Sequence, residues 1–175
     1  MSRSSTARFP LLVTAFCLLS LAAPSLLAQA SGIAVGTRAP TATVETMDGR
    51  EMDLAVFYAT GKPVVLEFWA TWCPLCKQME PAMQAARARH GDQVTFVSVG
   101  VSANQSPERQ KAHAAANHIG GEFVFDRHDQ ATKAFSVPHT SYVVVVDAKG
   151  MVVYTGVGPE QDIEAAVQKG LAAAR

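Results

Sequence analysis

Two cysteines separated by two residues constrain this chain more than any other feature. Cys73 and Cys76 stand at the boundary between an apolar run, residues 64–69, and a polar segment that begins with Pro74. The apolar run indicates a buried strand, and proline suits the first position of a helix, where its missing N–H costs nothing. Cys73 is then the N-cap of that helix, and Cys76 lies one turn along the same face. Two thiols placed in this way can close a disulfide.

The position of Cys73 also predicts its reactivity. The N-terminus of a helix carries partial positive charge, which favours a thiolate over a thiol. Thiol–disulfide exchange needs one thiolate that attacks and a second thiol that resolves the mixed disulfide. We therefore expect Cys73 to be the nucleophile and Cys76 to be the resolving thiol. The alternative is a passive structural disulfide, which is disfavoured because closing so short a loop gains little stability.

Length and composition indicate one globular domain around this pair. The chain has 175 residues, of which 49% are hydrophobic and 17% charged, and this suits a single domain with a sizeable core. Lys and Arg together number 15, as do Asp and Glu, so the formal net charge is zero. Because the basic residues are also scattered along the chain, we expect no nucleic-acid partner.

The number of cysteines limits the kinds of site that the domain can hold. The third cysteine, Cys17, lies in an N-terminal apolar run, which leaves a single dithiol for the domain. A four-ligand zinc ribbon needs a second C-x-x-C, and a disulfide framework needs more pairs. The sequence therefore predicts no metal, and no cofactor other than the redox-active disulfide. A second interpretation is a copper protein, in which Cys73, Cys76 and a histidine or methionine bind Cu(I).

Residues 1–30 have the pattern of a secretory signal peptide. Arg3 and Arg8 give a positive start, residues 11–27 form the apolar run, and Ala28-Gln29-Ala30 is a small-x-small cleavage site. The sequence therefore predicts that the protein is exported from the cytoplasm.

Cleavage after this signal would leave residues 31–175 as the mature domain, in the periplasm or outside the cell. The apolar run is nearly long enough to span a bilayer. The alternative is therefore an uncleaved segment, residues 11–28, that anchors the domain to the inner membrane.

Strand and helix patterns alternate along the domain and end in a hairpin. Residues 41–46 alternate and are rich in β-branched side chains, and the turn Asp48-Gly49 returns the chain as a partner strand at 50–52. This order predicts an α/β fold with a mixed central sheet flanked by helices. Further strands are predicted at 64–69, 94–101, 122–125, 142–146 and 151–157, and helices at 74–90, 107–119, 129–135 and 159–174.

The stretch from Trp69 to Cys76, with its W-x-x-W-C-x-x-C pattern, resembles the active site of the thioredoxin superfamily. Residues 36–174 are similar to the TlpA/ResA branch, which has an N-terminal β-hairpin extension and an inserted helix and strand, here between Val101 and Asp126. The resemblance implies a thioredoxin-like fold and a thiol–disulfide oxidoreductase. Such enzymes act on protein disulfides, among them those of apocytochrome c or copper-site assembly proteins, and a membrane thiol–disulfide donor keeps them reduced.

Glu67 is the candidate proton carrier. A carboxyl among Val65, Leu66 and Phe68 should be buried and should have a raised pKa. Such a group can accept and return a proton during the resolving step. Thioredoxin-like proteins often carry a buried acid with that role at this position. The alternative is a carboxylate that faces solvent or pairs with Lys62.

The resemblance also implies which residues contact the substrate. Trp72 and Pro74 should flank the exposed thiol, whereas Trp69 should pack inside. In this family a cis-proline precedes a central strand and packs against the cysteines, and the residue before it pairs with the substrate backbone. Pro138 matches by context, and Val137 precedes it, although the loop is shorter here than in the family.

The residues between the cysteines bear on the direction of electron flow. Strongly oxidising members of the superfamily carry a histidine there, whereas this chain has Pro74-Leu75. This difference favours a reductase. A third interpretation is a thiol peroxidase, but those proteins carry the reactive cysteine after Pro-x-x-x-Thr, and this chain lacks that pattern.

We expect the exported protein to begin near Ser31, because the cleavage pattern ends at Ala30. N-terminal sequencing of protein recovered outside the cytoplasm measures this directly. A chain that still begins at Met1 and stays in the membrane fraction would show that the apolar segment is an anchor.

Overall fold

The computed structural model describes residues 32–173, so the predicted signal segment, 1–30, lies outside it. Within the described range no helix is both long and apolar enough to cross a membrane. The strands are β1 (Thr43–Thr46), β2 (Glu51–Asp53), β3 (Val64–Trp69), β4 (Thr95–Val101), β5 (Glu122–Asp126), β6 (Tyr142–Val146) and β7 (Val152–Val157). The helices are α1 (Ala55–Tyr58), α2 (Pro74–His90), α3 (Pro107–Ala116), α4 (Gln130–Ala134) and α5 (Ile163–Ala173).

All of these strands join one mixed sheet in the order β2-β1-β5-β4-β3-β6-β7. Strands β3, β4 and β5 are parallel, and the other neighbouring pairs are antiparallel. The predicted α/β fold with its mixed sheet and N-terminal β-hairpin is thus confirmed. The inserted helix and strand are α3 and β5, and β5 provides the edge on which β1 of the hairpin pairs.

Alternate side chains of the central strands build one core on each face of the sheet. On one face Val65 and Val143 pack with apolar residues of α2 and α5. On the other face Phe68, Phe135 and Tyr142 pack together beneath α1 and α4. Every residue of β3 is buried, as expected for a strand that is covered on both faces. The strand that leads into the cysteines is therefore fixed at the centre of the fold.

Two helices depart from their predicted bounds by more than one residue at one end. Helix α3 ends early, at Ala116, and the Asn117 side-chain amide donates a hydrogen bond to a carbonyl of its last turn (2.8 Å). Helix α5 begins late, at Ile163, because Asp162 caps it. The Asp162 carboxylate accepts a hydrogen bond from the backbone N–H of Ala165 (2.8 Å). Proline and glycine before this cap therefore belong to a loop, where the prediction placed the first turn of the helix.

A close contact joins β4 to the inserted helix. Gly100 of β4 lies against the side-chain amide of Gln110, which is fully buried, and a Cβ at this glycine would come within 2.2 Å of that amide. The orientation that satisfies the amide puts its oxygen 2.9 Å from Trp69 Nε1 and 3.3 Å from Gly100 N, so that it accepts both hydrogen bonds. Because Gly100 has no side chain, Gln110 of α3 has room to bind Trp69 at the end of β3.

Gly100→Ala should lower the free energy of unfolding by about 1–3 kcal/mol, because the added methyl overlaps a buried amide that has little room to move. Gly120→Ala is the control, since nothing lies within 4 Å of a Cβ there; we expect a change of about 0.5 kcal/mol or less. Urea unfolding of both variants measures the difference. Equal stabilities would mean that Gln110 moves aside without cost.

Candidate active site

The two cysteines form a disulfide at the N-terminus of α2. Their Cα atoms are 5.4 Å apart. Cys73 is the N-cap, Pro74 follows it, and the Sγ of Cys73 accepts a hydrogen bond from the backbone N–H of Cys76 (3.0 Å). The cysteines are 4% and 5% exposed, so the exposed thiol expected between Trp72 and Pro74 is buried in the disulfide form. The surrounding turn and helix enclose both sulfurs equally.

Gln105 holds the turn that precedes the disulfide. Its Oε1 accepts a hydrogen bond from Thr71 N (3.0 Å), and its Nε2 donates to Val101 O (2.6 Å) and Trp69 O (3.3 Å). The end of β3 is in this way tied to the end of β4. Sequence analysis did not find this residue, because no local pattern shows that the loop after β4 folds back onto the turn.

An apolar surface surrounds the disulfide. Trp72 is 46% exposed and Leu75 is 40% exposed, and Pro74 between them is also exposed. The indole N–H of Trp72 donates to Ala103 O (2.7 Å), which fixes the ring in position. Trp69 is buried, as the sequence predicted. Exposed apolar side chains of this size beside a reactive bond suit contact with a partner molecule.

A cavity of about 360 Å³ opens beside the disulfide and brings residues of three elements together. Glu67 of β3 and Cys76 of α2 share this space, and α3 supplies the opposite wall. No group of three or more His, Cys, Asp or Glu side chains suited to a metal ion occurs between residues 32 and 173. The lining includes Glu67, Trp72, Cys76, Glu80, His113 and Ile119.

Glu67 is buried and only 3% exposed. Burial raises its pKa to about 7, although the nearby Arg87 guanidinium acts to lower the pKa and the carboxylate of Glu80 acts to raise it. Nη2 of Arg87 lies 3.6 Å from the Glu67 carboxyl, whereas Lys62 Nζ donates to a backbone carbonyl elsewhere (2.8 Å). The burial and raised pKa expected from the sequence are present, and pairing with Lys62 was the wrong alternative.

Arg87 is a site residue that sequence analysis missed. Only 10% of its side chain is exposed, and its Nη1 donates to Glu80 Oε1 at 2.8 Å. A signal did exist: Cys76, Glu80 and Arg87 recur at helical spacing and therefore share one face of α2. The sequence did not show which strand residue that face of α2 contacts, so the contact between Arg87 and Glu67 was not predicted.

The loop that contains Val137 and Pro138 stands at the same end of the sheet as the disulfide. Ser141 N donates to Phe68 O (2.8 Å), which puts the start of β6 beside the end of β3. No peptide bond of the described residues is cis, so the cis-proline expected at Pro138 is not found. The register of β6 instead places Ser141 against the end of β3, which explains why the match by context misled.

Comparison with known proteins identifies the family. Residues 34–171 match the Redoxin family, which covers most of the chain. The chain belongs to this family. The redoxin is 28% identical over 136 residues to the thioredoxin-like protein YneN of Bacillus subtilis, with 76% of this chain and 78% of that protein covered. It is 29% identical over 143 residues to the thiol-disulfide oxidoreductase ResA of Geobacillus thermodenitrificans, with 78% of each covered.

Solved structures have the same fold as this redoxin. A thiol:disulfide interchange protein of the thioredoxin family from Chlorobium tepidum has a TM-score of 0.65 at 24% identity, covering 82% of this chain and 99% of that one. The thioredoxin domain of a thiol-disulfide oxidoreductase from Bacteroides vulgatus has a TM-score of 0.67 at 21% identity, covering 78% and 97%. The predicted TlpA/ResA-like resemblance is confirmed, and the redoxin is a thiol–disulfide oxidoreductase.

Glu67 should make the stability of the oxidised redoxin fall as the pH rises from 4.5 to about 7. In this interval the folded protein keeps a proton on the carboxyl that the unfolded chain has released, so rising pH costs about 3 kcal/mol in total. Glu67→Gln should remove this part of the slope, as measured by urea unfolding at about pH 5 and about pH 8.

Glu122→Gln is the control for this measurement, because Glu122 is an exposed carboxyl at the start of β5. It should leave the pH slope of the wild type unchanged. Equal slopes in the wild type and in Glu67→Gln would show that folding does not raise the pKa of Glu67.

Proposed function

We propose that this redoxin is a periplasmic reductase of protein disulfides. The observation that carries the proposal is the buried carboxyl of Glu67, which shares a cavity with Cys76. A reductase must release its partner by deprotonating the resolving thiol, and a buried carboxyl with a pKa near neutral is suited to that task. The lack of a histidine between the cysteines also supports reduction over oxidation. The secretory pattern of residues 1–30 supports the periplasm.

The proposed reaction has two exchange steps. The thiolate of Cys73 first attacks one sulfur of the substrate disulfide, so that a mixed disulfide forms and one substrate thiolate leaves. Cys76 then gives its proton to Glu67 and attacks the Sγ of Cys73. The second substrate thiolate leaves and takes up a proton. Two electrons have passed to the substrate, and the Cys73–Cys76 disulfide is the product on the enzyme.

The exposed surface around the disulfide supports a protein as the substrate. Trp72, Pro74 and Leu75 offer an apolar contact that a folded or extended chain could cover. Val137 and Pro138 complete the proposed contact on the other side, because their loop ends beside β3. Among protein disulfides, those of apocytochrome c and of copper-site assembly proteins are the candidates that the family resemblance supplies. A membrane thiol–disulfide donor would return the two electrons.

Cys76→Ser should trap partner proteins as mixed disulfides on Cys73, because no thiol remains to resolve them. Cys73→Ser is the matched control and should trap almost none. The measurement is the yield of disulfide-linked adducts captured from extracts of the exporting cell by each variant. Equal trapping by the two variants would reverse or remove the assignment of nucleophile and resolving thiol.

Glu67→Gln should slow the release of the partner by about 10²-fold while leaving the first attack nearly unchanged, because the acid serves only the resolving thiol. Rapid mixing of the reduced enzyme with a disulfide peptide separates the two steps. Release at the wild-type rate would leave Glu67 with a structural role alone.

A further inference from the structure

One guanidinium serves two carboxyl groups beneath the disulfide. Arg87 Nη1 lies 2.8 Å from Glu80 Oε1, and its Nη2 lies 3.6 Å from Glu67 Oε2. The side chains of Glu67, Arg87 and Glu80 are only 4%, 10% and 17% exposed. Arg87 Nε is buried and has no hydrogen-bond partner in the described residues. The cation is therefore divided unequally between the carboxyl groups, and Glu80 has the shorter contact.

The unequal contacts of Arg87 decide which of the two carboxyl groups holds a proton. If both carboxyl groups were ionised, the three side chains would carry a net negative charge in a nearly buried place, which is costly. The costly charge is relieved most easily at the carboxyl with the weaker contact, and that carboxyl is Glu67. The stronger pair between Arg87 and Glu80 therefore leaves Glu67 as the group that changes its protonation.

We propose that Arg87 is a positioning residue for the resolving step, and that Glu80 sets how strongly Arg87 acts on Glu67. The proposal deepens the proposed function and rests on it. Arg87 keeps Glu67 able to ionise, so that it can accept the proton of Cys76. Glu80 keeps Arg87 from neutralising Glu67 completely, which would leave it too weak a base.

The cavity gives the proton a route that balances the reaction. Cys76, Glu67 and Glu80 all line it, and Glu80 is the most exposed of these three side chains. The proton leaves the Cys76 sulfur for Glu67 as the bond to Cys73 forms. It then passes through the cavity to water, or to the substrate thiolate that leaves, and no further reactant is needed.

Other groups that face Glu67 do not supply this charge. Its neighbours across β4 and β6 are Ser98 and Val143, which are uncharged. Lys77 of α2 and His113 of α3 line the same cavity, but the close ion contact to Glu67 comes from Arg87. Arg87 and Glu80 act on Glu67 in opposite directions, since the first lowers and the second raises its pKa. Removing Arg87 and removing Glu80 should therefore shift the pKa of Glu67 in opposite directions, which an experiment can measure.

The experiment follows the reduced enzyme as it reacts with an aromatic disulfide whose released thiolate is coloured. Attack by Cys73 releases the first thiolate, and resolution by Cys76 releases the second, so the two steps give two phases. Arg87→Met should move the pH midpoint of the second phase upward by about one unit, because a cation near Glu67 is lost. Glu80→Gln should move it downward by about half a unit, because Arg87 is then free to pair with Glu67.

Two variants control for loss of structure and for loss of charge. Arg87→Lys keeps the positive charge and should restore the midpoint to within about half a unit of the wild type. Arg89 lies on the same turn of α2 but pairs with Glu164 (3.1 Å). Arg89→Met therefore removes a cation that does not contact Glu67, and this variant should leave the midpoint unchanged. The first phase should be the same in all four variants.

The outcomes separate this inference from the proposed function. If the wild type shows no second phase, the proposed function fails. If the wild type shows both phases but the midpoints of Arg87→Met and Glu80→Gln move together or stay still, only the inference fails. If Arg87→Met does not fold, Glu80→Gln decides alone: a midpoint that moves down supports the inference, and one that is unchanged or moves up overturns it.

Discussion

Burial of a carboxyl on the central strand is the constraint on which the site depends. Strand β3 is covered on both faces, so burial removes most of the solvation of a charge on Glu67. Removing a charged group from water is costly unless a partner compensates. Arg87 supplies that compensation only in part, at 3.6 Å, and the pKa of Glu67 remains near neutral. The same burial that makes the strand a rigid support therefore also gives Glu67 the near-neutral pKa that its proposed role requires.

The inserted helix α3 and the loop before it form part of the site. Gln105 and Ala103 of the loop bind the turn before Cys73, and Gln110 of α3 binds the indole of Trp69. These hydrogen bonds hold the end of β3 in place. They also make α3 the far wall of the cavity, so the insertion decides how much room lies beside the disulfide.

Local signals predicted the frame of the fold and the cysteine site, whereas contacts between distant segments were not predicted. Apolar runs predicted the central strands, and the Cys73-Pro74 junction predicted where α2 begins. Both signals come from residues that are close together in sequence. Arg87 and Gln105 act across the sheet on partners far away in sequence, and nothing near them reports those partners. The cis peptide bond expected at Pro138 was wrong for the related reason that strand register, which a loop alone does not define, decides what faces the end of β3.

The two cysteines are enclosed equally in the disulfide form, at 4% and 5% exposure, so exposure in this state does not set the order of attack. Electrostatics does distinguish them. The Sγ of Cys73 accepts a backbone N–H at the helix N-terminus, which stabilises a thiolate there. Cys76 lies one turn further along α2, and both cysteines line the cavity that holds Glu67, a carboxyl that must ionise before it can take a proton. In the proposed mechanism Cys73 therefore carries charge at once, and Cys76 gains it only after its proton has moved to Glu67.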